Sequence, residues 1–420
     1  MSKANILYAQ SGGATAVINA TACGLIETAR SYPDKIGKIY AAHNGILGVL
    51  NEELIDTGNE SDKSIMALKH TPGSAFGTCR YKLKGIEEDK AQYQRLIEVF
   101  KAHNISYFFY NGGGDSQDTS LKISQLGQSF GYPITCIGIP KTIDNDLPLT
   151  DCCPGFGSVA KYIATSVRET ALDVAGMAST STKVFVLEVM GRHAGWIAAA
   201  SGLARCSNRD APHLILLPEV PWREARTLKK INQQVEDRGY CVIVASEGLR
   251  DQEGRFLSES GGYDAFGHAQ LGGVAPLIAK IIKDKLDYKC HWAVSDYLQR
   301  SARHIASRTD VEQAYTLGRQ AIEFALTGHN AVMLTIIRLS DKPYLWKIGS
   351  VALSEVANRE HTLPKEYINK DGLNTTVACD NYIRPLIEGE DYPPYEKGIP
   401  KYVKMKKGLI SKRLKKLETT

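Results

Sequence analysis

The sequence predicts an α/β fold built from at least two doubly wound domains. Short apolar segments alternate with longer helical segments, and continuous apolar strands are typical of parallel sheets that helices cover on both faces. Polar segments containing glycine follow several of these strands, as ligand-binding loops do in open sheets. The 420 residues, 43% of them hydrophobic and 23% charged, indicate a globular chain of about two or three domains.

Eight segments are predicted as strands and six as helices. The predicted strands are 6–9, 38–41, 107–110, 134–139, 184–189, 214–217, 241–245 and 332–337, and the predicted helices are 16–29, 92–103, 159–174, 194–204, 274–286 and 310–326. Beyond about residue 339 the alternation fades. Segment 371–401 is rich in Pro, Tyr and Asn, and we expect it to lie irregularly over the surface.

The first predicted strand is followed by a glycine pair, Gly12 and Gly13, before a helix. Adjacent glycines at such a turn let backbone N–H groups approach an anion at the helix N-terminus. A tight turn without a ligand explains the same pattern equally well.

Three glycines, Gly112 to Gly114, follow the strand at 107–110, and Asp115 and Asp118 come next. The glycines put no side chains into a pocket and let the backbone approach a ligand closely. Carboxylates beside a phosphate site mostly hold Mg²⁺. The alternative is a turn at Gly114 with Asp115 as a helix N-cap.

The strand at 134–139 is followed by a loop that contains Lys141, Asp144 and Asp146. Five of the six residues from 141 to 146 are polar or charged. This pattern indicates a cation, a general base and a metal-associated carboxylate on one loop. The alternative is a solvated surface loop.

Two further strand ends carry groups that suit an anionic sugar. Met190, Gly191 and Arg192 follow the strand at 184–189, and Arg192 is placed to contact an anionic ligand. Glu247 follows the strand at 241–245, where its carboxylate suits the hydroxyl groups of a sugar.

The net charge of +5 does not indicate a nucleic-acid-binding surface. Eight basic residues and no acidic residue lie between 401 and 416, so the rest of the chain has 43 basic against 46 acidic residues. A mildly acidic body argues against nucleic acid as a partner. The basic run itself is predicted to be a solvated helix or a frayed terminus, with a subunit contact as the alternative.

The cysteine pattern favours a reducing compartment. The nine cysteines have no zinc-ligand spacing, and their number is odd. The first residues lack the apolar core of a signal peptide, and no apolar run approaches the roughly 18 residues that span a bilayer. We therefore expect a cytoplasmic protein without a membrane partner.

Taken in order, these loops resemble the 6-phosphofructokinase family over roughly residues 4–340. The loop from Thr142 to Asp146 is the most recognisable element. Members of the family transfer a phosphoryl group to the 1-hydroxyl of fructose 6-phosphate, giving fructose 1,6-bisphosphate. The other segments that carry the resemblance are Gly12-Gly13, 73–80, 112–119, 190–195, Glu247, 267–273 and 297–300.

The resemblance implies the phosphofructokinase fold, with two Rossmann-like doubly wound domains and a C-terminal extension. The phosphoryl-donor-binding domain would comprise residues 1–155, with 270–340 returning to it. Residues 156–269 would form the fructose-6-phosphate-binding domain. Residues 341–420 would be the C-terminal extension with its basic tail.

Two positions point to pyrophosphate rather than ATP as the donor. ATP-dependent members usually carry Asp where this chain has Gly114, and Gly where it has Asp115 and Lys141. The resemblance to pyrophosphate-dependent members implies that Asp115 blocks the α-phosphate of ATP by bulk and like charge. Lys141 would supply positive charge to the transferring and leaving phosphates. Leu271 stands where many ATP-dependent members have Arg.

The resemblance also implies a role for each site residue. Asp144 would be the general base, with Lys141, Asp115 and Arg192 completing the catalytic group. Mg²⁺ would be held by Asp115 and Asp146. Lys183 would reach a neighbouring subunit, so we expect a dimer or tetramer. Donor binding would involve Gly12, Gly13, Gly113, Gly114 and Arg80. Sugar-phosphate binding would involve Thr142, Asp144, Met190, Gly191, Arg192, Glu247, Lys183, His268, Tyr297 and Arg300. Of these, His268, Tyr297 and Arg300 would hold the 6-phosphate.

The main expectation is thus reversible phosphoryl transfer from pyrophosphate to fructose 6-phosphate. Three alternatives stay open. One is an ATP-dependent 6-phosphofructokinase. Another is a related kinase with a different acceptor, such as a lipid or NAD, which Arg192 and Glu247 argue against. The last is a catalytically silent phosphate-ligand sensor, in which loss of Asp144 would be expected.

Overall fold

The computed structural model describes residues 3–263 and 269–416. Within these residues no helix is both long and apolar enough to cross a bilayer. The strands are β1 (Ala4–Gln10), β2 (Ile36–Ala42), β3 (Leu54–Asp56), β4 (Ile105–Gly112), β5 (Thr135–Pro140), β6 (Val184–Val189), β7 (Leu214–Leu216), β8 (Cys241–Ser246), β9 (Glu259–Tyr263), β10 (Ala269–Leu271), β11 (Cys290–Val294), β12 (Val332–Asp341), β13 (Tyr344–Ala352), β14 (Tyr395–Glu396) and β15 (Ile399–Pro400). The α-helices are α1 (Ile18–Arg30), α2 (Gly45–Leu50), α3 (Asp62–Ala67), α4 (Lys90–Ala102), α5 (Gly114–Ser129), α6 (Phe156–Met177), α7 (Trp196–Ala200), α8 (Glu224–Arg238), α9 (Val274–Leu286), α10 (Asp296–Ser301), α11 (Arg308–Leu326), α12 (Leu353–Val356) and α13 (Val377–Ile383).

The first sheet has seven strands in the order β13-β12-β5-β4-β1-β2-β3. The inner strands from β12 to β2 run parallel, whereas β3 and β13 close the two edges in antiparallel orientation. Residues Ile6 to Ala9 of β1 are fully buried, because helices cover both faces of the sheet. The predicted α/β architecture is confirmed, and each predicted strand and helix has its counterpart. Strands β3, β9, β10, β11, β13, β14 and β15 were not predicted.

Helix α1, which leads away from the end of β1, is held by close packing against α11. A Cβ atom on Gly24 of α1 would lie 2.2 Å from the carbonyl oxygen of Tyr315 in α11. The absence of a side chain at Gly24 therefore lets the two helices approach closely. This contact ties a late segment of the chain to the first sheet.

The second sheet has four parallel strands in the order β11-β6-β8-β7. The strands that form this sheet correct one predicted domain boundary. Segment 270–340 was predicted to return to the first domain, but β11 pairs with β6, and Ile278 and Ile282 of α9 belong to the core of the second sheet. The chain returns to the first sheet with α11 and β12.

Segment 371–401 was predicted to lie irregularly over the surface, and this is wrong for α13 within it; earlier in the extension, β13 was not predicted. β13 forms a hairpin with β12 and so belongs to the first sheet. Cys379 and Ile383 of α13 are buried in the main core. Both segments pack apolar side chains against the cores, which the fading strand-helix alternation concealed.

The basic run at 401–416 is neither a solvated helix nor a frayed terminus. It contains no helix, and the backbone N–H of Ile410 donates to the carbonyl oxygen of Leu54 in β3 at 2.9 Å. Met405 is buried, and Ile410 and Leu414 pack against the core of the first domain. The apolar residues between the lysines are the reason, since burying them holds the tail as an extended chain.

Candidate active site

Three predicted loops start at one edge of the first sheet. The parallel pairing places Gln10 at the end of β1 beside Asn111 of β4, and Gly112 of β4 beside Pro140 of β5. The chain therefore leaves all three strands at the same level. The loops after these strands form one side of the candidate site, as expected at the carboxyl ends of parallel strands.

The glycine pair after β1 is fixed by the segment at 73–80. The N–H of Gly12 donates to the carbonyl oxygen of Cys79 at 3.1 Å, and the hydroxyl of Thr78 donates to the carbonyl oxygen of Gly12 at 2.8 Å. A Cβ atom on Gly13 would lie 2.7 Å from the Nη1 atom of Arg300. Gly13 has no side chain to keep Arg300 away, so the guanidinium lies directly against the loop.

Lys141 joins the loop after β5 to the glycine pair. Its side chain is buried, and Nζ donates to the carbonyl oxygen of Gly13 at 2.8 Å. Burial lowers the pKa of Lys141 to about 8, although the charge on Asp144 acts in the opposite direction. The ammonium group is thus a cation placed between two loops that were predicted to bind phosphate.

Asp144 lies on the same loop and is surrounded by cations. Burial raises the pKa of its carboxyl group, while a hydrogen bond from the Thr142 hydroxyl at 3.3 Å and the charges of Lys141, Arg192 and Arg300 oppose the shift. A carboxylate with a raised pKa is suited to accept a proton from a hydroxyl group. The geometry therefore fits a general base.

Asp146 is two residues further along the same loop. Burial raises its pKa to about 7, and the charges of Asp144 and Glu360 contribute to the rise. The backbone of the C-terminal extension also reaches this loop, since the N–H of His361 donates to the carbonyl oxygen of Asp146 at 2.7 Å. Sequence reasoning did not identify Glu360 or His361.

Loops that follow strands of the second sheet lie near the loop that carries Asp144. The N–H of Gly191 donates to Oε1 of Glu247 at 3.3 Å, and the N–H of Met190 donates to Oε1 of Gln299 at 3.4 Å. Burial raises the pKa of Glu247 to about 7, and the next largest contribution is the charge of Asp144. The predicted sugar loops of the second domain therefore lie within electrostatic range of the predicted base of the first.

Asp115 is held by a lysine that was not predicted. Lys82 Nζ lies 2.9 Å from Oδ1 of Asp115, and both side chains are partly exposed. Asp115 lies in the first turn of α5, and the space around Gly114 is open, since a Cβ atom there would meet nothing within 4 Å. A ligand can therefore approach the start of α5 beside this ion pair.

The two predicted metal ligands have different surroundings. Asp115 is paired with Lys82, whereas the charges that act on Asp146 are those of Asp144, Glu360 and Lys141. Among residues 3–263 and 269–416, no group of three or more His, Cys, Asp or Glu side chains could hold a metal ion. The described residues thus offer carboxylates that could share a cation brought by a polyphosphate.

Four other residues were predicted to bind the sugar phosphate, namely Lys183, His268, Tyr297 and Arg300. Arg300 stacks on Tyr297 at 3.7 Å and reaches the donor loop at Gly13, and its role at the 6-phosphate stays a prediction. The short helix α10 directs it across the cleft. Lys183 precedes β6, at the opposite end of the strand from Met190, and donates to the carbonyl oxygen of Ala178. His268 lies outside the described residues.

Arg80 is an exposed residue whose charge lowers the pKa of Lys141, so it lies within electrostatic range of the donor loops.

The site residues that were not predicted from the sequence come from segments that do not directly follow a predicted strand. Lys82 follows a loop, and Glu360 and His361 lie beyond residue 340, where the family resemblance stops. Inspecting only the loops that follow predicted strands therefore does not identify these three residues.

Comparisons with known proteins show which family this chain resembles over its length. A family model described as Phosphofructokinase matches residues 5–325. The protein named pyrophosphate–fructose 6-phosphate 1-phosphotransferase from Methylococcus capsulatus is 62% identical over 414 residues, which are 99% of each chain. A protein of the same name from Halomonas elongata is 59% identical over 99% of each chain. The crystal structure of a pyrophosphate-dependent phosphofructokinase from Marinobacter aquaeolei is 57% identical, with a TM-score of 0.92 over 99% of this chain and 100% of that one.

Proposed function

The chain belongs to the phosphofructokinase family, and from this premise we propose that it is a diphosphate–fructose-6-phosphate 1-phosphotransferase. It transfers a phosphoryl group from pyrophosphate to the 1-hydroxyl of fructose 6-phosphate, giving fructose 1,6-bisphosphate and phosphate. The full-length relatives described above carry the name of this activity. A phosphoanhydride is exchanged for a phosphate ester, a step that is only moderately downhill with pyrophosphate, so the reaction runs in both directions.

The observation that carries this proposal is the position of Lys141. Its ammonium group is buried against Gly13 and lies within electrostatic range of Asp144. A cation here can neutralise charge on the transferring phosphoryl group and on the leaving phosphate, which is the main task of a phosphoryl-transfer enzyme. A neutral glycine at this position could not do so.

The proposed chemistry follows from the positions of the side chains. Asp144 accepts the proton of the 1-hydroxyl group, and the oxygen attacks the nearer phosphorus of pyrophosphate in line with the leaving phosphate. Lys141 and Arg300 neutralise negative charge on the transferring phosphoryl group from the donor side, and Arg192 does so from the sugar side. Glu247 and the backbone at Gly191 hold the sugar hydroxyl groups.

The divalent metal in this proposal is Mg²⁺, which arrives as part of the substrate, Mg²⁺-pyrophosphate. Mg²⁺ keeps several waters and needs only one or two protein carboxylates when phosphates supply the remaining ligands. Asp146, which has the negative charges of Asp144 and Glu360 near it, is the better placed of the two predicted ligands, because Asp115 is paired with Lys82. We therefore assign metal contact to Asp146 and donor selection to Asp115.

The test is a donor screen with fructose 6-phosphate and either pyrophosphate or ATP. We expect turnover with pyrophosphate and little or none with ATP. Asp115→Gly and Lys141→Gly, made singly and together, test whether these two side chains select pyrophosphate over ATP. If both single variants keep full pyrophosphate turnover, the argument about donor selection fails.

The same screen separates the alternatives. Turnover with ATP alone would identify an ATP-dependent phosphofructokinase, and binding of both ligands without turnover in either direction would identify a phosphate-ligand sensor. We place the activity in the cytoplasm, which suits the nine cysteines, all of them free thiols in the structure. We expect a homo-oligomer, a dimer or tetramer, in which Lys183 serves the sugar-phosphate site of a neighbouring subunit.

A further inference from the structure

The loop that carries Asp144 is anchored by the residue next to it. Asn145 lies between Asp144 and Asp146 and has a φ angle of 54°, a left-handed conformation that Asn tolerates better than most residues. Its Oδ1 atom accepts a hydrogen bond from the backbone N–H of Cys153 at 2.9 Å. Its Nδ2 atom donates to the hydroxyl oxygen of Tyr382 at 3.1 Å. The side chain of Asn145 is therefore held on both sides.

Tyr382 is itself held rigidly. Its ring lies 5.3 Å from the ring of Trp196 and stacks on that of Tyr367 at 5.6 Å, and the guanidinium of Arg338 lies 4.7 Å from its centre. The hydroxyl also donates to the carbonyl oxygen of Asp151. Because the ring is packed on several sides, its hydroxyl oxygen is a fixed point for Asn145.

We infer that Tyr382 is a positioning residue for phosphoryl transfer, acting on Asp144 through Asn145. Successive residues of the loop point in different directions, so holding Asn145 sets where the carboxylates of Asp144 and Asp146 can lie. A displacement of about 1 Å at a reacting group can lower a rate by about 100-fold. The inference rests on the proposed role of Asp144 as the base.

The C-terminal extension supplies a second support to the same loop. The N–H of His361 holds the carbonyl oxygen of Asp146 at 2.7 Å, and Trp196 donates from Nε1 to the carbonyl oxygen of His361 at 3.0 Å. Trp196 therefore contacts both supports. The extension thus acts as a brace behind the catalytic loop, and within it Tyr382 bonds the side chain of Asn145.

The test compares Tyr382→Phe with Tyr367→Phe, measured for kcat, for KM of both substrates and for the thermal midpoint. The two tyrosines stack on each other, but only the Tyr382 hydroxyl bonds the loop. We expect Tyr382→Phe to lower kcat by about 10- to 100-fold, to change each KM less than about threefold, and Tyr367→Phe to keep the wild-type kcat. Equal kcat in the two variants would overturn the inference, as would a fall in kcat that merely follows a fall in thermal midpoint.

A second variant separates positioning from general damage. Asn145→Gly keeps the left-handed backbone conformation but removes the side chain that Tyr382 holds. If Tyr382 acts through Asn145, adding Tyr382→Phe to Asn145→Gly lowers kcat no further, because the two changes break one interaction. Fully multiplicative effects would contradict the inference. A wild-type enzyme that used ATP instead of pyrophosphate would overturn the proposed donor, while the same variants, assayed with ATP, would still test Tyr382.

Discussion

The ammonium nitrogen of Lys141 lies 2.8 Å from the carbonyl oxygen of Gly13. This contact joins the loop after β5 to the loop after β1, so one buried cation serves both. Because it is buried among other cations and carboxylates, the charge of Lys141 responds to pH in a range where the enzyme can be assayed.

The first prediction concerns this pH response. Burial lowers the pKa of Lys141 to about 8, so its charged form is present below that pH and is lost above it. We expect kcat/KM for pyrophosphate to fall above about pH 8, since this parameter reports ionisation of the free enzyme. In Lys141→Arg the fall should move beyond the assay range, because arginine stays charged. A wild-type profile that is flat to pH 10, or an Arg variant that keeps the fall near pH 8, would contradict the assignment.

The second prediction concerns Asp144. Asp144→Asn removes the proton acceptor and should lower kcat by about 100- to 10,000-fold. Burial raises the pKa of Asp144 above its ordinary value, so the folded state favours the neutral form and loses stability as pH rises above that ordinary value. The variant should therefore keep or raise its thermal midpoint at pH 7. A lower midpoint together with lost activity would point to a structural role instead.

The third prediction concerns Arg300, whose guanidinium approaches Gly13. If Arg300 contacts the donor, Arg300→Ala should raise the KM for pyrophosphate more than the KM for fructose 6-phosphate. Arg300→Lys, which keeps the charge, should lie between wild type and the Ala variant. The reverse order of the two KM effects would return Arg300 to the 6-phosphate site.

The fourth prediction concerns the ion pair between Lys82 and Asp115. Partly exposed pairs of this kind contribute about 0–1 kcal/mol, so Lys82→Met should leave the thermal midpoint nearly unchanged. Freed from Lys82, the carboxylate of Asp115 would repel pyrophosphate, and we expect its KM to rise. The double variant Lys82→Met, Asp115→Asn should restore a KM near that of the Asp115→Asn variant alone. A KM that stays high in the double variant would mean that Lys82 contacts pyrophosphate directly.

The fifth prediction concerns the tail. The carboxylate of Glu52 accepts hydrogen bonds from the backbone N–H groups of Arg413 and Leu414, and Ile410 and Leu414 pack on the first core. Deleting residues 401–420 should lower the unfolding free energy by about 2–4 kcal/mol, because two apolar side chains lose their packing and the buried carboxylate of Glu52 loses two backbone hydrogen bonds, keeping its contact with His103. The KM for pyrophosphate should not change. The control Lys412→Ser, Lys415→Ser removes charge but keeps the packing, and it should be as stable as wild type.

Much of the fold could be predicted because its inner strands are uniformly apolar. A strand such as β1 needs helices on both faces, and this requirement is visible in the residues themselves. The predicted boundary at 270 failed because β11 is short and half exposed, and its place beside β6 depends on a pairing between segments about 100 residues apart. The tail was misread because alternating lysines hide the apolar residues that attach it to β3.

The sequence by itself determined the loop that we propose to be catalytic. Lys141, Asp144 and Asp146 lie within six residues of one another, so their proximity follows from chain connectivity, and their placement at a strand end gives them a role. Only the tertiary structure decided what stands around them. Lys82, Glu360 and Tyr382 come from distant segments that obey no local pattern, and Arg300 reaches Gly13 across the cleft between two sheets. Contacts of that kind depend on how separate elements pack, which local periodicity and motif spacing do not encode.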